Sequence, residues 1–337
     1  MRLSKGGAIA DLVVGDIGGT HARFAIASLG KDTRPRIGEV RRYLTAEHEG
    51  LASAWRAFAR DCGCALPRAA SIGIAAPIEG EILQFPNSPW RIERRGLEEK
   101  LGLDRLVLIN DFGAIAASIP ALGDEELQHI GGPDGSLPSQ GVTTVVGPGT
   151  GLGVAILLRR PGICEVIETE GSHVGFAPLT VEEARIADHM RRTYGRASVE
   201  RIVSGPGLLD LYRGLGGTSH EVGDASALWG AGLEGSDPLA ADALDHLVKA
   251  FGGAAGDLAL AHGANAVVIA GSLSRRMAEK LRSPLFAGRF IAKGRYARRM
   301  QTIPIRLVVH DEPGLLGAAV AFARQSRSGA PRGNRGR

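Results

Sequence analysis

Apolar and polar positions fall into short blocks along the chain. Residues 12–17 form an apolar run that stops at Gly18 and Gly19, and residues 24–29 resume it. This predicts a strand, a glycine turn and a second strand, so the chain opens with a hairpin. After a third strand near residues 40–44, Leu51, Ala54, Trp55, Phe58 and Ala59 recur at helical spacing. A strand at 70–76 is closed by Pro77 and Gly80. A helix at 97–101, a buried strand at 106–109 and a helix over 113–119 follow. Strands that alternate with helices in this way predict α/β layers.

Residues 131–141 are rich in Gly, Pro and Ser and read as a surface connection between two domains. Beyond it the opening pattern returns: strand 143–147, a glycine turn over 147–153, strand 154–158. Thr20 and Thr150 occupy comparable places in the two turns, so two related halves are expected. Helices are predicted at 181–194, 225–232, 238–262 and 314–324, with strands at 266–270 and 305–309. Gly252, Gly253 and Gly256 lie inside the longest helix. Each costs about 1 kcal/mol relative to alanine, and close helix packing is the expected offset.

Composition narrows the class. A chain of 337 residues has room for two or three domains at roughly 100 to 200 residues each. The apolar share of 44% with 23% charged residues excludes disorder over most of the length. The formal charge of +4 resides in the tail 327–337, where Arg327, Arg332, Arg335 and Arg337 occur without an acid. The body is therefore near neutral, which argues against a basic nucleic-acid groove, and the tail reads as a disordered terminus. Cys62, Cys64 and Cys164 form neither a paired framework nor a zinc pattern. Reduced thiols, the lack of a membrane-length apolar run and the early Asp11 and Asp16 predict a cytoplasmic protein with no membrane partner.

The glycine turns carry the first chemistry. Residues 147–153 match neither the Rossmann glycine spacing nor a P-loop. Successive glycine amides with threonine hydroxyls can nevertheless surround phosphate oxygens, and two such turns favour nucleotide binding over a structural role. Asp16 beside a phosphate cradle would repel the phosphates unless a cation lay between. It therefore implies Mg²⁺ held through water.

Five segments together carry a resemblance. They are Asp16-Ile17-Gly18-Gly19-Thr20-His21-Ala22-Arg23, Leu108-Ile109-Asn110-Asp111-Phe112, residues 147–153, Glu170-Gly171-Ser172-His173-Val174, and residues 200–207 from Glu200 to Gly207. In that order the chain resembles bacterial glucokinases. The resemblance implies the two-domain actin-like ATPase (ribonuclease H-like) α/β fold, with ATP and sugar in a cleft between the domains. It divides the chain into a smaller domain of residues 1–120 with 313–326, a larger one of 121–312, and the tail. His21, Ser172 and Ser272 depart from the family's commoner asparagine and glycines.

The resemblance also implies roles. Phosphorylating a sugar hydroxyl requires a carboxylate within reach of that hydroxyl, and Asp111, between a buried strand and a helix, matches the family's catalytic base. A carboxylate at such a junction otherwise serves as a helix N-cap. Asn110, Glu170, His173 and Glu200 match sugar-contacting positions, and Asn87 lies in a segment that resembles one facing the sugar. Gly18, Gly19, Thr20, Gly149, Thr150, Gly151 and Gly271, with Asp16, match the nucleotide side. The implied reaction is ATP-dependent phosphorylation of D-glucose to glucose 6-phosphate with Mg²⁺, by a homodimer. A kinase for another hexose or sugar derivative is the nearest alternative. A non-enzymatic sugar-sensing regulator fits less well, because only about ten residues precede the first strand, too few for the usual DNA-binding domain.

Overall fold

The computed structural model describes residues 10–30, 34–85, 88–218 and 225–328. The chain divides into two compact units, Met1–Leu122 with Asp311–Arg337, and Gly123–His310. The first unit contains strands β1 (Ala10–Ile17), β2 (His21–Leu29), β3 (Arg36–Ile37), β4 (Arg41–Leu44), β5 (Ala69–Ile74), β6 (Ile82–Gln84), β7 (Arg91–Glu93) and β8 (Arg105–Asn110). Its helices are α1 (Leu51–Cys62), α2 (Leu97–Leu101), α3 (Asp111–Ser118) and the C-terminal helix Pro313–Ser328.

The main sheet runs β3-β2-β1-β5-β8, with β4 also on β2. β1 and β2 form the predicted antiparallel hairpin, whereas β5 and β8 add in parallel. The continuous apolar run of β1 follows from burial of both sheet faces. Val13 and Ile17 pack toward α1, where Leu51, Ala54, Trp55 and Phe58 supply the apolar stripe. Leu12 and Val14 pack on the other face against Leu315, Ala318, Ala319 and Phe322 of the C-terminal helix. Phe24 stacks on Phe58 and meets Trp55 edge-on, at 5.4 and 5.8 Å between centroids. Each such side chain is worth roughly 1.5–3 kcal/mol when fully buried.

The second unit contains β9 (Leu127–Gly131), β10 (Gly141–Pro148), β11 (Leu152–Arg160), β12 (Ile163–Thr169), β13 (Ala266–Ile269) and β14 (Ile305–Val308). Their order is β12-β11-β10-β13-β14-β9. Here too an antiparallel meander leads to a central strand onto which two strands add in parallel. The repeat seen in the glycine turns is thus a repeat of whole sheets. The helices include α4 (Val181–Tyr194), α5 (Val199–Ile202), α6 (Gly207–Gly214), α7 (Ala225–Glu234), α8 (Pro238–Ala261) and α9 (Ser272–Arg276). A close approach explains two of the three glycines of α8, whereas a β-carbon at Gly253 would meet only the Arg289 side chain, at an ordinary 3.7 Å. A β-carbon at Gly252 or Gly256 would overlap the backbone carbonyl of Phe286 or Phe290.

Three sequence expectations change. The connection 131–141 does not lie between the units but joins β9 to β10 in one sheet. Its composition correctly marks a loop, and the buried Arg306 holds it by donating to the carbonyl of Pro133 at 3.0 Å and to that of Gly135. The C-terminal helix continues through Ser328, two residues into the expected tail. Ser326 extends it by bonding the Phe322 carbonyl at 2.8 Å while accepting from Arg105 at 2.9 Å. Residues 329–337 lie outside the described residues. Finally, β3, β6, β7, β9 and β12 were not anticipated. Among the described residues the three cysteines are unpaired, and no helix is long and apolar enough to cross a membrane.

Candidate active site

In the first unit the parallel strands β1, β5 and β8 end on the same edge of the sheet. Asp16 is level with Gly73, and Gly73 with Ile109, so the carboxyl ends of β1 and β8 present Asp16, Asn110 and Asp111 along one edge. In α/β sheets ligands gather at this edge. Gly18, Gly19 and Thr20 form the turn beyond Asp16. It is closed by Gly18 N–H donating to the His21 carbonyl at 2.9 Å, and Thr45 Oγ1 donates to the Gly19 carbonyl at 2.7 Å.

Asp16 does not stand alone. Arg23 Nη1 donates to its Oδ2 at 3.1 Å and lies 3.7 Å from Glu312, which also pairs with Arg42. Burial pushes the Asp16 carboxyl above the ordinary carboxylate range; Arg23 opposes this and Glu312 adds to it. Arg23 and Glu312 were not singled out from sequence. Arg23 carries a readable signal, because residues 16 and 23 face each other across the hairpin. Glu312 reaches Asp16 only through the return of the C-terminal helix.

At β8 the N-cap is Asn110, not Asp111. The Asn110 side-chain oxygen accepts from Phe112 N–H at 2.9 Å and Gly113 N–H at 3.1 Å, so helix initiation occupies that oxygen, while the amide nitrogen donates to the Ala76 carbonyl at 3.4 Å. Asp111 occupies the first helical position and is half-buried. Its Oδ1 accepts from Phe112 N–H at 2.8 Å. Asn87 lies outside the described residues.

In the second unit Glu170, His173 and Glu200 converge. Glu170 precedes a single 3₁₀ turn, Gly171–His173, which brings its carboxylate to 3.8 Å from His173 Nε2. Glu200 Oε1 approaches the same nitrogen at 3.9 Å from the short helix α5. Two backbone links join these segments: a bridge between Gly175 and Ser198, and Val199 N–H donating to the Val174 carbonyl at 3.0 Å. The side chains of Glu170 and His173 are 63% and 59% exposed, and that of Glu200 27%. Three groups that can accept or donate hydrogen bonds are thus open to a polar ligand. Ser172, one of the departures, is buried at 2% exposure.

The glycine loop lies beside this cluster. Between β10 and β11 the turn is closed by Gly149 N–H donating to the Gly151 carbonyl at 2.7 Å. It is anchored by Gly205 N–H on the Gly149 carbonyl, also at 2.7 Å, and Thr150 is exposed at its tip. Glu200 Oε2 accepts from Leu152 N–H at 3.1 Å. Gly271, after β13, takes φ +95° as the N-cap of α9 and adjoins the Pro148 carbonyl. Asp16, Gly18, Gly19, Thr20, Asn110 and Asp111 thus belong to the first unit; Gly149, Thr150, Gly151, Glu170, His173, Glu200 and Gly271 belong to the second.

Doubled sheets that carry glycine turns and carboxylates at their carboxyl edges define the actin-like ATPase class, and comparison with solved structures agrees. A crystal structure of glucokinase from an Antarctic psychrotroph superposes with a TM-score of 0.81 at 29% identity, covering 94% of this chain and 100% of that one. A ROK family glucokinase from Streptomyces griseus in complex with glucose and AMPPNP shares the fold at a TM-score of 0.60 and 20% identity, covering 94% of this chain and all of that one. The Glucokinase family model matches residues 13–325. The glucokinase of Zymomonas mobilis subsp. mobilis is 48% identical over 318 residues, 94% of this chain and 98% of that protein. The chain belongs to the glucokinase family of enzymes.

Proposed function

We propose that this enzyme transfers the γ-phosphoryl group of ATP to the 6-hydroxyl of D-glucose, with Asp111 as general base. The observation that carries the reading is the convergence of Glu170 and Glu200 on His173 beside a glycine loop. A hexose presents hydroxyls that both donate and accept, and this set offers both without a fixed cation. Glu170, His173, Glu200 and the Asn110 amide hold the non-reacting hydroxyls, with Asn87 as a further contact. Asp111 accepts the 6-hydroxyl proton as that oxygen forms its bond to the γ-phosphorus. The bond from phosphorus to the β,γ-bridging oxygen breaks, and ADP leaves with its electron pair.

Gly18, Gly19 and Thr20, with Gly149, Thr150, Gly151 and Gly271, are the phosphate and nucleotide contacts in this reading. Asp16 fits a cation held through water. Its carboxylate is raised by burial and by Glu312, a cation would relieve both effects, and no cluster of three metal-ligating side chains occurs among the described residues. Mg²⁺ with few protein ligands keeps its waters and takes phosphate oxygens, so it would supply charge neutralisation of the nucleotide there. By the family resemblance the enzyme is a cytoplasmic homodimer, which sedimentation of the purified protein tests.

Purified protein with ATP, Mg²⁺ and a panel of hexoses decides the substrate. Glucose is expected to give glucose 6-phosphate at the highest kcat/KM. No glucose-dependent product at millimolar sugar overturns the reading, and a preference for another hexose replaces glucose on the same site. In the same assay Glu170→Gln and His173→Ala are expected to raise KM for glucose far more than KM for ATP. They should also narrow the gap between glucose and its deoxy analogues, because a site that hydrogen-bonds a hydroxyl is left with unpaired groups when that hydroxyl is missing. Unchanged discrimination removes these two residues from the sugar site.

A further inference from the structure

Glu200 holds two places at once. Its Oε1 faces His173 Nε2 at 3.9 Å, while Oε2 accepts from Leu152 N–H at 3.1 Å, where the glycine loop becomes β11. The same Oε2 lies against Gly151, where a β-carbon would stand 2.5 Å from it. One carboxylate therefore spans the distance from the proposed sugar contacts to the proposed phosphate loop.

We propose that Glu200 couples sugar occupancy to the order of the glycine loop. A sugar hydroxyl bonded to Oε1 fixes the carboxylate plane, and Oε2 then fixes the Leu152 amide and the turn before it. Because one rigid group serves both ligands, each ligand finds the other's contact already ordered. The effect is reciprocal: whatever factor glucose adds to nucleotide affinity, nucleotide adds to glucose affinity. This rests on the reading of Glu200 as a sugar contact. It goes beyond that reading by giving the second carboxylate oxygen a role in nucleotide binding.

The loop itself offers the test. The φ of Gly151 is not in the left-handed region, so alanine suits its backbone, and what its methyl group meets is the movable end of the Glu200 side chain. Gly151→Ala therefore folds while displacing the carboxylate without altering Glu200. Gly149→Ala is the matched control, since a β-carbon there meets nothing within 4 Å and its φ is likewise outside the left-handed region.

Glucose binding is measured by calorimetry without nucleotide, and AMPPNP-Mg²⁺ binding with and without saturating glucose. In the wild type glucose is expected to tighten AMPPNP about fivefold or more. In Gly151→Ala that factor falls to near one, and glucose alone binds about tenfold more weakly, as for a misplaced charged hydrogen-bond acceptor. Gly149→Ala binds glucose as the wild type does. A residue that merely braced the loop would leave glucose binding without nucleotide unchanged in Gly151→Ala, and that result overturns the proposal. Equal loss of glucose affinity in Gly149→Ala overturns it as well. A wild type that binds no glucose removes the glucokinase reading itself, a separate outcome visible before any variant is compared.

Discussion

Asp111→Asn is expected to lower kcat by about 10² to 10⁴ with little change in KM for glucose. The loss corresponds to about 3 to 5 kcal/mol of transition-state stabilisation. Helix initiation does not confound the result, because Asn110 caps α3 through two backbone amides. Asparagine at position 111 can still accept the bond from Phe112 N–H that Asp111 Oδ1 accepts at 2.8 Å. The substitution therefore removes a proton acceptor and leaves the local fold in place. Steady-state kinetics and glucose calorimetry on the variant separate the two effects. Near-normal turnover would assign the proton to another group, and a large loss of glucose affinity with normal kcat would make Asp111 a binding residue.

The same junction shows what the sequence could reveal. A buried strand followed by a polar pair and a helical period made residues 105–118 legible, yet two adjacent polar residues compete for one capping position. Only the geometry assigns the cap to Asn110. The hairpin of β1 and β2 was legible because hydrophobic runs flank a glycine pair, and the facing of Asp16 and Arg23 follows from counting outward from that turn. β12 was not legible. It is an edge strand with Ile163, Glu165 and Ile167 exposed on one face, so its pattern mixes apolar and charged residues on the solvent side. The loop 131–141 was recognised by composition, but composition carries no information on which elements a loop joins. The contact of Glu200 with the Leu152 amide has no side-chain signature, because the donor is backbone and the partners are 48 residues apart.

Gly317→Ala is expected to damage both stability and turnover, from a position that touches no ligand. Gly317 lies on the C-terminal helix where it crosses α3, and an added β-carbon would overlap the backbone carbonyl of Ala114. A side chain could rotate away, but a helix carbonyl cannot, so the two helices must separate. Overpacking of this kind costs about 1–3 kcal/mol and occasionally more. The consequence reaches the chemistry because one helix carries a site residue and the other packs against one. α3 begins with Asp111, and a β-carbon at Gly314, one turn before Gly317, would stand 3.3 Å from the Asp16 carboxylate. Separation therefore moves the proposed base relative to Asp16, while Glu170, His173 and Glu200 belong to the other unit. Urea unfolding should show a lower midpoint, and kinetics should show a larger fall in kcat than rise in KM for glucose. Wild-type stability together with full turnover would mean that the helices part without cost. The close approach of the C-terminal helix would then not be what positions Asp111.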